Sequence, residues 1–202
     1  NAGLVVAEIE LDDVDEAFIA ARQAALQGNA EKFEAAAPIV SDPLLGGYLD
    51  YWRLRLRLYP KGVLQTGDDP GLDADLQAYL ARTDNPLLVD LARRDWLYRL
   101  ARRADWSSFE THYGAWVLRD ESALHCYGGL ARVERGGTPG EEAREALMQA
   151  RELGDACGAL ADAMARTGQW RRADVWRRLK FALEAGAHGS VRRLAALAGL
   201  PV

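Results

Sequence analysis

DPLLGGYLDYWRLRLRLY (residues 42–59) spaces Leu45, Tyr48, Leu49, Trp52, Leu56 and Tyr59 at i, i+3, i+4, i+7, i+11 and i+14. That spacing puts all six side chains on one face of an α-helix. The stretch also marks its own beginning. Asp42 stands directly before Pro43, so its carboxylate accepts a first-turn backbone N–H, while the proline, having none, loses no hydrogen bond. Asn85-Pro86 and Thr138-Pro139 repeat the signal, and Thr138 with Glu141 fits a capping box. Asp155 reads as a further helix cap.

The same period recurs outward in both directions. Val14, Ala17, Phe18, Ala21 and Ala25 share a face that Gly28 ends; Val175, Trp176, Leu179, Ala182 and Leu183 share another that Gly186 ends. No convincing alternating strand and no Asn-Gly hairpin signal is present. The marks predict ten helices, starting near Asp13, Ala30, Leu44, Leu72, Pro86, Asp105, Glu121, Pro139, Ala156 and Ala173, with a fragment after His188. Most connections are short, so neighbours should form antiparallel hairpins; the one longer loop is Tyr59–Gly71. Helix pairs recurring about every 30 to 40 residues predict an all-α fold, an α-superhelix (solenoid) of antiparallel helix hairpins. The Trp-Leu-Gly-Tyr signature of a tetratricopeptide motif is missing, so the units are divergent. Between residues 87 and 103 the apolar side chains (Leu88, Leu91, Ala92, Trp96, Leu97, Leu100) cover a wide arc, as a helix with neighbours on two sides requires. Gly128-Gly129 opposes helix formation by about 1 kcal/mol per residue relative to Ala. Close helix packing there is the expected compensation.

Composition bounds the function. The 202 residues, 49% hydrophobic and 27% charged, are enough for a sizeable core and exclude a disordered chain. A net charge of -5 argues against nucleic acid as a partner, and no apolar run approaches the roughly 20 residues of a membrane span. The Asn1-Ala2-Gly3 start reads as a mature or recombinant terminus, with residues 1–12 an N-terminal extension or tag remnant and 13–202 the helical domain. Residues 1–50 hold ten acids and two bases, a net of -8, whereas residues 166–193 hold eight bases and two acids, a net of +6. Such a basic end either solvates helix faces or meets an anionic partner.

Five blocks carry a resemblance: DEAFIAARQAALQGN (15–29), DPLLGGYLDYWRLRLRL (42–58), NPLLVDLARRDWLYRLARRADWSSFETHY (85–113), LHCYGGLARVERG (124–136) and DACGALADAMARTGQWRRADVWRRLKFALEAG (155–186). In this order they resemble the N-terminal superhelical region of soluble lytic murein transglycosylases. The Trp96–Trp106 block and the block running from Cys157 to Trp176 are the specific ones. The resemblance implies a right-handed, toroid-like superhelix in the periplasm, followed in the full-length enzyme by a lysozyme-like catalytic domain. In that family a single Glu protonates the glycosidic oxygen and the muramoyl 6-hydroxyl closes a 1,6-anhydro ring. The expected partners are therefore peptidoglycan glycan strands, met through the full-length enzyme, and the chain's own downstream catalytic domain, with no cofactor. The chain ends at Val202 before any such domain, so a piece of a longer protein is expected, inactive alone. A free-standing tetratricopeptide-like adaptor that binds proteins is the alternative.

Candidate chemistry within the chain is sparse. RDESALHCYG (119–128) echoes the family's catalytic Arg-Gln-Glu-Ser segment, but the Gly-Leu-Met-Gln that should follow does not. Glu121 also falls at a helix start, where the dipole favours the ionised form over the protonated acid catalysis needs. No catalytic residue is therefore assigned. The resemblance places Cys126 and Cys157 at cysteines of a periplasmic domain and implies a disulfide; two buried thiols are the alternative. His112, His125 and His188 show no metal-ligand spacing, and no metal site is assigned. Asp68, Asp69, Asp73 and Asp75 lack the pattern of a calcium loop and read as a surface loop with a helix cap. Of the six tryptophans, Trp52, Trp96 and Trp176 read as core wedges. Trp116 and Trp170 lie near turns and, with Arg171 and Arg172, are the candidate glycan or domain contacts. The paired arginines could meet anionic peptide stems, or form surface ion pairs with Asp90, Asp95 and Asp174.

Overall fold

The computed structural model describes residues 12–200, so the extension assigned to residues 1–12 lies outside the described residues except for Asp12. Among the described residues there are eleven α-helices and no strand: α1 (Asp13–Leu26), α2 (Ala30–Ala36), α3 (Gly46–Leu58), α4 (Pro70–Arg82), α5 (Pro86–Arg102), α6 (Trp106–Ala115), α7 (Ser122–Glu134), α8 (Glu141–Gln149), α9 (Gly154–Arg166), α10 (Arg172–Glu184) and α11 (His188–Leu197). The chain divides into two compact units between Arg99 and Leu100, within α5.

Side-chain caps set most helix starts in the first unit. Asp12 accepts the Val14 and Asp15 N–H groups at 2.9 and 2.8 Å, Asn29 that of Lys32, Asp69 that of Leu72 and Asn85 that of Leu87. Asp42 caps a 3-10 turn, Pro43–Leu45, that leads into α3. The sequence predicts one apolar face for α3. The structure buries Tyr51, Leu54 and Leu58 as well as Leu49, Trp52 and Leu56, so the helix is enclosed on several sides. Phe18 of α1 packs on Tyr48 and Trp52. Between α1 and α2, Gly28 has φ 69° and accepts the Lys61 N–H at 3.2 Å; a Cβ on it would lie 2.2 Å from the Gly62 nitrogen. Only glycine meets both the dihedral and the close approach.

Two buried ionic groups complete this unit. Asp95 accepts hydrogen bonds from the Tyr51 hydroxyl (2.7 Å) and from Arg55 (2.5 Å). Burial, then the Asp95 charge, pushes the Tyr51 hydroxyl far above the ordinary phenol range. Arg99, fully buried, pins the long loop before α4: it donates to the carbonyls of Gln65 (2.5 Å) and Gly67 (3.0 Å) and to the Asp73 carboxylate (3.0 Å), which also accepts the Trp96 indole N–H at 2.8 Å. The aspartates of this loop are thus held by the fold. Asp73 pairs with Arg99, Asp75 with Arg57, and Asp69 caps α4.

In the second unit α7 packs against α6, α8 and α9. Its two interior glycines are contact points. A Cβ on Gly128 would fall 2.9 Å from the Tyr113 ring, and one on Gly129 would fall 2.4 Å from the Ala143 Cβ. Three expectations are corrected here. α8 begins at Glu141 with Gly140 (φ 82°) at its N-cap and no side-chain cap bond, so Thr138 does not cap it; the left-handed Gly140 separates Pro139 from the helix. Asp155 lies inside the first turn of α9 and pairs with Arg102 at 2.6 Å instead of capping. Trp176 is 41% exposed, not a core wedge, because α10 turns Val175, Arg178, Leu179 and Ala182 inward. Arg178 takes the inward position by donating to the last carbonyls of α8, those of Leu147 (2.8 Å) and Ala150. Glu152 accepts the Ser190 N–H and hydroxyl at the start of α11.

Candidate functional site

Cys126 on α7 and Cys157 on α9 are joined by a disulfide, with their Cα atoms 4.9 Å apart. The neighbouring His125 points elsewhere, as adjacent helix positions must. One of its ring nitrogens lies 2.8 Å from the Tyr113 hydroxyl and the other 3.1 Å from the Arg119 carbonyl. Glu121 sits at the α7 N-cap.

Trp116 is 1% exposed, against Tyr113 and His125 and with the Arg119 guanidinium 5.8 Å from its ring centroid. Within this chain it occupies a core position and not an open surface. Trp170 is 7% exposed. It cannot offer an open platform either, but it lines a cavity of about 220 Å³ with Arg171. Arg172 is exposed and lies outside that cavity.

The cavity brings three helices together. α8 supplies Arg144 and Met148, α9 supplies Met164, and α10 supplies Asp174 and Arg177. Arg171 and Arg177 both reach Asp174, at 3.3 and 3.6 Å. Two guanidinium groups therefore share one carboxylate, and Arg144 adds a third cation to the lining around an apolar floor. Leu147, a further wall residue, is also the residue whose carbonyl Arg178 holds, so a fourth cation stands behind the wall. Burial lowers the pKa of Arg178 from the ordinary guanidinium value, with Glu152 opposing the shift. A larger groove of about 800 Å³ runs along α1 and α2 in the first unit, where five alanines and Ile39 alternate with Asp13, Glu16, Gln23, Gln27 and Lys32. The smaller cavity differs in kind: it sets several guanidinium groups beside apolar side chains.

One polar cluster has no sequence signal. Tyr113 of α6 meets His125 of α7 and Glu142 of α8, the last at 3.2 Å from the hydroxyl, while Arg119 lies 4.3 Å over the Tyr113 ring. The Arg119 carbonyl accepts only, so the facing ring nitrogen of His125 carries a hydrogen. The single Tyr113 hydrogen serves only one of its two acceptors, His125 or Glu142, at a time. Burial pushes the Tyr113 hydroxyl up to about 12. Four separate elements meet here, and no spacing along the chain announces that. Among the described residues, no three His, Cys, Asp or Glu side chains are grouped as metal ligands would be. No helix of the described residues is long and apolar enough to cross a membrane.

Comparison of the chain with protein-family models, with curated proteins and with solved structures finds no match.

Proposed function

We propose that this chain is the non-catalytic superhelical scaffold of a periplasmic lytic murein transglycosylase, an enzyme that cleaves the MurNAc-GlcNAc bond to give 1,6-anhydro-muropeptides. In this reading the helical hairpins continue into one curved wall that restricts access to glycan strands, and a downstream domain does the chemistry. The observation that carries it is the Cys126–Cys157 disulfide, which joins two of the resembling blocks and suits an oxidising compartment. The all-helical fold agrees with it, since each of the five blocks falls on helices.

Two measurements test the proposal. The chain incubated with purified sacculi should release no anhydro-muropeptides, and the gene should continue past codon 202 into a Glu-Ser…Gly-Leu-Met-Gln segment. A reading frame that closes at that codon, or release that disappears in Glu121→Gln, overturns it. The exposed side chains Trp176 (41%) and Leu183 (59%) of α10 favour a second reading, a free-standing helical-repeat adaptor that binds proteins. A closed reading frame together with capture of a folded partner through α10 supports that reading instead.

A further inference from the structure

We propose that the cavity walled by α8, α9 and α10 binds the C-terminal carboxylate of a peptide whose last side chain is apolar. Size is the first argument. At about 220 Å³ the cavity is smaller than the roughly 300–1,000 Å³ of sites that enclose a whole small molecule, so it takes one side chain. Its floor suits that side chain. Met164 and the accessible edge of Trp170 are apolar, and Met148 is an unbranched thioether that adapts to the shape it meets.

Charge is the second argument. Arg144, Arg171 and Arg177 surround the floor with only Asp174 among them, a local balance of 3 - 1 = +2. The planar guanidinium fork matches a carboxylate in two parallel hydrogen bonds. α10 opens beside the cavity with Arg171 at its N-cap and no side-chain cap bond, so the positive end of that helix adds to the same field. An apolar group and a carboxylate must therefore lie within one residue of each other. The last residue of a peptide has that arrangement, and capture of a terminal carboxylate is an established mode of peptide recognition. A phosphate group matches the arginines but brings nothing to fill the floor.

The test is an amide-resolved NMR titration of the isotopically labelled chain with acetyl-Gly-Gly-Leu as the free acid. The same peptide as its C-terminal amide and inorganic phosphate serve as the other arms. Saturable shifts at the Trp170 indole N–H and at the amides of α8 and the start of α10 are expected at about millimolar peptide. The amide form should bind about tenfold more weakly, since it loses a charge-assisted pair. Arg171→Gln with Arg177→Gln should weaken the acid to a similar degree; both side chains are exposed, so circular dichroism should stay that of the parent. Equal binding of acid and amide, shifts confined to other helices, or no saturable shift overturns the proposal. Phosphate binding as tight as the peptide also overturns it, by reducing the site to a general anion patch.

Discussion

Replacing Gly129 with alanine sets two opposing effects against each other. In a helix interior the change should stabilise by about 1 kcal/mol, because glycine loses the most backbone freedom on folding. At this position the new Cβ would lie 2.4 Å from the Ala143 Cβ and 3.2 Å from both the Leu160 Cδ2 and the Pro139 Cβ. Carbon atoms in contact sit about 3.5–4.0 Å apart, so α7 and α8 must separate by more than about 1 Å. Overpacking of a dense core costs about 1–3 kcal/mol, and a clash between two backbone-fixed methyl groups belongs at the upper end. The net expectation is a loss of about 2 kcal/mol. In a cooperative unit of this size that is a fall in Tm of roughly 4–8 °C per kcal/mol. The control is Gly114→Ala in α6, where nothing lies within 4 Å of the added methyl and the propensity gain should stand alone. Thermal melts of both variants should move in opposite directions. Adding Ala143→Gly to Gly129→Ala removes the worst contact, and the pair should be more stable than the sum of the singles by about 2 kcal/mol. A Gly129→Ala protein as stable as the parent, or strict additivity in the double variant, would refute the claim that α7 and α8 meet closely at Gly129 and Ala143.

Three further outcomes are expected. Reduction of the disulfide, or the paired Cys126→Ala and Cys157→Ala changes, should cost about 3–4 kcal/mol by the chain-entropy estimate for a closed loop of 31 residues; denaturant midpoints with and without reductant measure it. Arg99→Met should expose the 63–69 loop to limited proteolysis and destabilise by about 3–5 kcal/mol, because the Asp73 carboxylate and two loop carbonyls lose a buried donor. Stability should fall above pH 10: Tyr79 and Tyr113 have folded-state values raised to about 12, so their contribution is complete below the unfolded value near 10 and is lost as pH rises through 12. Phenolate absorbance should then appear together with unfolding; full ionisation of all seven tyrosines near pH 10 in a folded chain would contradict this.

Helix positions were largely legible because their signals are local. Pro86 opens α5 with Asn85 as its cap, and Asp13 and Ala30 open α1 and α2 where the apolar period begins. Residues 53–58 of α3 alternate Arg and Leu, yet the longer period from Leu45 to Tyr59 prevailed over that short alternation. The failures came where a tertiary partner overrode the local pattern. Arg178 displaced Trp176 from the core because the open carbonyls of α8 needed a donor, and Asp155 went to Arg102 instead of its own helix start. The candidate site was half visible. Trp170 and Arg171 announced themselves as neighbours near a turn, whereas Arg144 and Met148 arrive from another helix. The meeting of Tyr113, His125 and Glu142 depends on three helices and had no trace in the spacing.

The disulfide encloses α8 entirely, since its two cysteines lie in the helices on either side. A protease that cuts either connection of α8 therefore releases nothing: the nicked molecule keeps its full mass until a thiol is added. The bond also tethers α7 to α9, so the second unit has no way of parting between them while it stays oxidised. Loosening has to begin at a helix the bond does not join: α6, α8, α10 or α11.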